Sequence, residues 1–358
     1  MTEEPKDNLP LLIHPDLWMK LEDDKLLILD RRQLPRNIVY VVCRDYEAVA
    51  RSIEEMVVQG AGDLAITAGY GLVLAARAIR RENTAVQEDT LKRAAARLIN
   101  TRPTGHYLAN MVNDLLSSGL DALKEGPGAE AGLYAALREQ IKIRDEAAQL
   151  TGRIGETILA DGDSMMTHCF AATAFLYMLK FARDNGKRLK VFATETRPYM
   201  QGQRLTSFSI NQLGIPVTLI TDNMPAYVMS QGLITKVVTA ADRVAMDGSA
   251  ANKIGTYQYA IAAHYHKIPF YVFGYRGPDP KTPTGADIPI EARDPEEVLT
   301  FNGQRIAADG VKGYYPAFDV TPPSLISGII TDRGIFPAHL IKNYRHTLGG
   351  PVDGGCGG

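Results

Sequence analysis

From Gly162 onward the chain alternates short apolar, β-branched runs with helical segments of about ten to sixteen residues, and this constrains its fold more than any other feature. The runs are Met165–Cys169, Lys190–Thr196, Pro216–Thr221, Lys236–Met246 and Pro269–Tyr275. Strands that alternate with helices read as βαβ units, which assemble into a parallel, doubly wound α/β sheet. In such sheets ligands sit beyond the carboxyl ends of the strands. The residues at which each run stops are therefore the first candidates for function.

Upstream the pattern differs. Leu26–Asp30 and Ile38–Cys43 read as two short strands broken by the polar turn RRQLPRN. From Asp45 the period changes, and Ala48, Ile53, Met56 and Val57 fall on one helical face. Ala-rich segments at 64–81 and 88–99 continue as helices, and 106–122 is a further one. KEGPGAEA (124–131) is the clearest break. A long helix follows, with Leu133, Leu137, Ile141, Leu150, Ile154 and Ile158 at helical spacing. The expected layout is an N-terminal α+β domain (1–130), a linking helix (131–160), a parallel-sheet α/β domain (161–350) and a glycine-rich tail (351–358). A length of 358 residues agrees with two domains.

Composition narrows the function. With 45% hydrophobic and 22% charged residues the chain is an ordinary globular sequence. Its 39 Lys+Arg against 41 Asp+Glu leave a net charge of −2, with no electrostatic footprint for nucleic acid. Charge-free runs such as Leu64–Ala76 fall short of the ~20 residues that span a bilayer. The N-terminus MTEEPKDNLP is acidic and polar, unlike a signal peptide. Cys43, Cys169 and Cys356 stand far apart with no CxxC, which predicts neither a zinc site nor a disulfide framework. A cytoplasmic protein is expected.

Five strand ends carry chemistry. Thr167-His168-Cys169 places a thiol where a strand yields to a helix, a position where amide dipoles favour the thiolate; a small buried hydrophobe is the simpler role. Glu195-Thr196-Arg197 with Gln201-Gly202-Gln203-Arg204 suits a sugar or phosphate, or a salt-bridged helix cap. Thr221-Asp222-Asn223 reads best as the cap of the next helix. Asp242 closes the apolar run VVTAAD; burial there would raise its pKa and make it a proton donor, unless it is paired with Arg243. Asn252-Lys253, at an expected helix start, resembles a phosphate or hydroxyl contact.

Two loops of the N-terminal domain join them. Gln59-Gly60-Ala61-Gly62-Asp63 opens an Ala/Gly-rich helix and can present backbone N–H groups to an anion, or its glycines can serve close packing. Arg102, in Thr101-Arg102-Pro103-Thr104, is a natural phosphate partner.

In order, the segments LDRRQLP, MVVQGAGDLAITAGYG, TRPTGHYL, THC, ETRPYMQGQRLT, ITDNMPAYVM, AADRVAMDGSAANKIGTYQYA, IPFYVFG, IPIEARDPEEV and AFDVTPPSLISGIITDRG span about Leu26 to Ile335. Together they resemble the methylthioribose-1-phosphate isomerase family, related to the regulatory subunits of translation initiation factor 2B. The resemblance implies a smaller, mostly helical N-terminal domain with short strands, a C-terminal Rossmann-like domain, a homodimer, and an aldose–ketose isomerisation in methionine salvage that needs no metal or nucleotide cofactor. It puts the catalytic cysteine on Cys169 and the catalytic aspartate on Asp242. Substrate contacts fall on Gln59, Gly60, Ala61, Arg102, Gln201, Asn252 and Lys253.

Two departures stand out. Gln59-Gly60-Ala61-Gly62-Asp63-Leu64-Ala65 replaces the family's Arg-Gly-Ala-Pro-Ala-Ile-Gly, removing a charge-assisted contact of about 1.5–3 kcal/mol. Asp63 adds a negative charge expected either to repel phosphate or to bind a hydroxyl. Phe170-Ala171-Ala172 replaces Asn-Thr-Gly, an apolar wall in place of a polar turn. The expected reaction converts 5-methylthioribose 1-phosphate to its ketose. The alternatives are a related sugar such as 5-deoxyribose 1-phosphate, or a non-catalytic sugar-phosphate-binding regulatory subunit.

Overall fold

The computed structural model describes residues 9–346 apart from 15, 103–105 and 127. Pro103, Thr104 and the tail with Cys356 lie outside the described residues. The chain divides between Glu146 and Ala147 into two compact units.

The first unit opens with an antiparallel sheet of β1 (Met19–Leu21), β2 (Leu26–Leu29) and β3 (Tyr40–Cys43), in that order. Four helices follow: α1 (Tyr46–Glu54), α2 (Ala61–Ala78), α3 (Thr84–Ile99) and α4 (His106–Glu125). Their starts are written in the sequence: Asp45 accepts the Ala48 N–H at 2.7 Å and Asn83 that of Val86 at 3.1 Å, each satisfying an orphan donor of the first turn. Helix α2 is buried almost all round, because its alanines and glycines let α1, α3 and α4 approach closely. Helix α5 (Ala129–Glu156) runs across the division between the units.

The second unit holds a seven-stranded sheet, which runs from Gly334–Phe336 at one edge through Gly328–Thr331, Phe270–Tyr275, Lys236–Ala240, Ser164–Thr167 and Lys190–Thr194 to Val217–Ile220 at the other. Five strands come from the alternating pattern: β4 (Ser164–Thr167), β5 (Lys190–Thr194), β6 (Val217–Ile220), β7 (Lys236–Ala240) and β10 (Phe270–Tyr275). They pair parallel to one another, as expected of a doubly wound sheet. Between them run α6 (Ala172–Asp184), α7 (Ser207–Gln212), α8 (Pro225–Ser230) and α9 (Thr256–Tyr265).

The run Lys236–Met246 is not one strand. It stops at Ala240, and β8 (Arg243–Val244) joins a separate antiparallel sheet with β9 (Ala250–Lys253) and β13 (Phe318–Thr321). The Asp242 N–H turns to the Ala251 carbonyl at 2.9 Å, which pulls the chain out of the large sheet. Asn252-Lys253 accordingly ends a strand instead of starting a helix; α9 begins three residues later, behind Gly255 at φ 107°. The short hairpin β11 (Thr300–Phe301) and β12 (Gln304–Arg305) stands alone. The last strands, β14 (Gly328–Thr331) and β15 (Gly334–Phe336), extend the large sheet, β15 running antiparallel. Among the described residues, no helix is long and apolar enough to cross a membrane.

Candidate active site

Cys169 sits two residues past the end of β4, in the left-handed region at φ 62°. A non-glycine residue there is uncommon. Beside it Thr196, just past the end of β5, has φ 65°, and Met200 has φ 66°. For the β-branched Thr196 this is a true outlier, and such strain collects at functional sites. Cys169 donates its backbone N–H to Thr196 Oγ1 at 3.0 Å, and Thr206 Oγ1 donates to the Cys169 carbonyl at 2.5 Å.

His168 is buried behind the thiol. Its Nε2 lies 2.9 Å from the Ile254 carbonyl, which can only accept, so the proton is on Nε2. Nδ1 then accepts from the Thr194 hydroxyl at 2.6 Å. Burial lowers the imidazole pKa well below its ordinary value, so the ring is neutral and holds two strand ends together.

The thiol differs from its expectation. Burial pushes Cys169 up to about 11, against the opposing pull of Lys253. Desolvation exceeds whatever the nearby helix start offers, so the resting group is a thiol. Asp242 differs too: the residue is exposed, not buried. Surrounding protein still raises its carboxyl pKa by desolvation, opposed by Lys253 and Arg293, while access to water limits the rise. Asp242 makes no ion pair with Arg243, whose Nε faces Asp279 at 3.6 Å.

Lys253 is buried, its ammonium 4.5 Å from the centre of the Phe318 ring. Burial lowers its pKa, and it acts electrostatically on both Cys169 and Asp242. Asn252, also buried, donates from Nδ2 to Thr256 Oγ1 at 2.9 Å. The second unit thus gathers a thiol, a carboxyl of raised pKa and a buried lysine at the strand ends of two of its sheets.

Gln201 is buried, and its Oε1 has no hydrogen-bond partner among the described residues. It stands at the head of a π-helical turn, Gly202–Thr206, a form of helix frequent at functional sites. Gly202 is required there: a Cβ would lie 1.8 Å from the Thr194 carbonyl oxygen. The neighbouring arginines are not anion clamps. Arg197 donates to the carbonyls of Val298 at 3.2 Å and Thr300 at 3.0 Å. Arg204 donates to the Tyr199 carbonyl at 2.8 Å.

In the first unit Gly60, at φ 93°, precedes Ala61 at the start of α2. Gln59 is buried and directs Nε2 to the Met56 carbonyl at 3.5 Å. Arg102 donates to the Ile53 carbonyl at 3.0 Å and contacts Met56 Sδ, so both side chains converge on the same turn. Asp63 neither repels an anion nor offers a free carboxylate, because Arg31 and Arg144 each approach it at 2.7 Å.

His168 and Arg293 carry no functional signal of their own in the sequence, and Thr196 stands there only as part of a polar cluster. Arg293, in IPIEARDPEEV, is half-buried with Nε 3.2 Å from Glu291 Oε1. The Ala292–Pro316 bridge and the Phe318–Lys253 register carry it towards Lys253, and its charge acts on Cys169, Asp242 and Lys253. Among the described residues, no three His, Cys, Asp or Glu side chains gather so as to hold a metal ion.

An α/β unit with a thiol and a carboxyl at its strand ends defines a class, and comparison with known proteins makes it specific. The profile of the initiation factor 2 subunit family matches residues 57–338. A methylthioribose-1-phosphate isomerase of Fervidobacterium nodosum is 41% identical, covering 92% of this chain and 97% of the relative. A putative methylthioribose-1-phosphate isomerase of Methanocaldococcus jannaschii is 40% identical, over 93% of this chain and 99% of that one. The crystal structure of 5-methylthioribose 1-phosphate isomerase from Pyrococcus horikoshii superposes with a TM-score of 0.82 at 34% identity, covering 92% and 95% of the two chains. The translation initiation factor eIF-2B subunit delta of A. fulgidus superposes at 0.81 with 33% identity, covering 92% and 97%. The chain belongs to the methylthioribose-1-phosphate isomerase family, within the initiation factor 2 subunit family.

Proposed function

We propose that this chain is an aldose–ketose isomerase that converts 5-methylthioribose 1-phosphate to 5-methylthioribulose 1-phosphate in methionine salvage. The observation that carries the reading is the grouping of Cys169, Asp242 and buried Lys253 in a chain about 40% identical to named isomerases along nearly its whole length.

A phosphate on C1 prevents the sugar ring from opening unaided, so the ring oxygen must be protonated. Asp242, open to a ligand and with its pKa raised, is the donor. As the C1–ring-oxygen bond breaks, hydrogen passes from C2 to C1, and the proton given up by the C2 hydroxyl to leave a ketone replaces the one Asp242 supplied. An enediol route would require Cys169 as a resting base, and a thiol pushed up to about 11 is poorly suited to that. The raised value favours transfer of the C2 hydrogen as hydride, with Cys169 neutral beside the reacting carbons. Lys253 and Asn252, with Gln201, take the phosphate and hydroxyls.

Phosphorus and carbon NMR of the purified protein with 5-methylthioribose 1-phosphate tests this directly, with the Cys169→Ser variant alongside. Conversion by the wild type alone supports reaction, substrate and site together. Gln59 in place of the family's arginine favours a second substrate, 5-deoxyribose 1-phosphate, and comparing kcat/KM for the two sugars decides. Binding of either sugar without turnover would identify a regulatory subunit instead.

A homodimer is part of the proposal. Helices α8 and α9 pack together and expose Tyr227, Tyr257, Ile261 and Tyr265, the last 80% exposed, beside the edge strand β6. An apolar face of this kind suits a second copy of the chain, and light scattering reads the mass. The free thiols Cys43 and Cys169 fit a cytoplasmic location.

A further inference from the structure

Asp222 stands between β6 and α8, where an aspartate ordinarily caps the helix, yet α8 begins behind Met224 with no side-chain cap. The Asp222 carboxylate instead reaches across to the segment after β5. Its Oδ1 accepts the Thr196 N–H at 2.8 Å, and Oδ2 accepts the Arg197 N–H at 2.6 Å. The Tyr259 hydroxyl donates to Oδ1 at 3.2 Å, so both oxygens are engaged.

What those two N–H groups belong to gives the contact its meaning. Thr196 is held at φ 65°, and its Oγ1 accepts the N–H of Cys169, itself at φ 62°. Left-handed residues without glycine persist only where their surroundings over-determine them. Asp222 supplies that constraint to Thr196, and Thr196 passes it to Cys169.

We propose that Asp222 is a positioning residue for Cys169, clamping the Thr196–Arg197 turn so that Thr196 Oγ1 fixes the backbone from which the thiol projects. The inference rests on the reading of Cys169 as a catalytic group. Asn is a poor substitute, because its amide can accept only one of the two N–H groups and turns a donor towards the other. Thr196→Val removes the acceptor oxygen for Cys169 and keeps the branched shape; Thr196→Ser keeps the oxygen.

The test combines steady-state kinetics on 5-methylthioribose 1-phosphate with the pH dependence of iodoacetamide alkylation, read at Cys169 by peptide mass spectrometry. In D222N and T196V, kcat is expected to fall about tenfold or more with KM changed less than about threefold, since small misplacements of reacting groups are costly. The Cys169 alkylation profile shifts in both, and T196S recovers most of what T196V loses. If D222N fails to fold, the T196V and T196S pair carries the test. The proposal is overturned by folded variants with wild-type kcat and alkylation, by a rise in KM alone, or by equal losses in T196S and T196V. If the wild type does not turn over the sugar, the isomerase reading fails, and the alkylation profiles still decide the role of Asp222.

Discussion

Arg31, in the turn after β2, and Asp63, in the first turn of α2, form an ion pair of 2.7 Å from which water is almost wholly excluded. Arg31 also donates to the Gln59 carbonyl at 2.6 Å, and Arg144 meets the other Asp63 oxygen at 2.7 Å. One carboxylate thus organises the loop that precedes α2. Burial pushes its pKa up, but Arg144 and Arg31 together outweigh this and hold it below the usual carboxylate range.

Asp63→Asn is therefore expected to destabilise the protein by about 3–5 kcal/mol, because Arg31 is left buried without its counter-charge. Denaturant unfolding measures this, and a loss under about 1 kcal/mol would show the pair to be dispensable. The folded pKa is depressed, so the stabilisation is complete above the unfolded value of about 3.9 and is lost as pH falls through the folded value. The acid-side decline in stability should be shallower in the variant than in the wild type.

Asp242→Asn should reduce turnover at least about a hundredfold, the scale of a lost acid–base group, and Cys169→Ser should reduce it as well, with the circular dichroism unchanged in both. Near-wild-type rates in either would remove that residue from the mechanism. With the thiol pushed up to about 11, alkylation of Cys169 should keep rising beyond pH 9 without a plateau.

His168 contributes to stability in a pH-dependent way. Its folded pKa is lowered by burial, so between that value and the ordinary ~6.5 the unfolded chain binds the proton and the folded one does not. Stability should fall as pH drops below about 6.5, and His168→Gln should flatten that limb. An identical slope in wild type and variant would show that the ring is protonated in the fold.

Lys253 separates function from stability. A buried ammonium of lowered pKa costs the fold free energy, so Lys253→Met should raise the unfolding free energy by about 1 kcal/mol. The same change should raise KM for the sugar phosphate at least tenfold, as expected for a lost charge-assisted contact of ~1.5–3 kcal/mol. A fall in both stability and affinity would mark Lys253 as structural.

Much of this was legible in the chain itself. Hydrophobic period and turn residues located β4, β5, β6, β7 and β10, because each buried strand must be short and apolar whatever lies beside it. The segments ETRPYMQGQRLT and AADRVAMDGSAANKIGTYQYA carried the family, which the comparisons establish. The ends of the strand runs nominated Cys169, Asp242 and Lys253, because a thiol, a carboxyl and a lysine there are conspicuous as residue types.

Partnership was decided only in three dimensions. Asp222 looked like a cap and clamps Thr196 instead; Asp63 looked like a free charge and is shared by two arginines; Arg197 looked like an anion clamp and is spent on backbone carbonyls. The thiol and carboxyl protonation states were likewise beyond reach, since desolvation depends on every element packed around a group. Local sequence determines what a residue can donate, accept or ionise. Contacts between residues far apart in the chain determine which of those capacities are already used and which are left for a substrate.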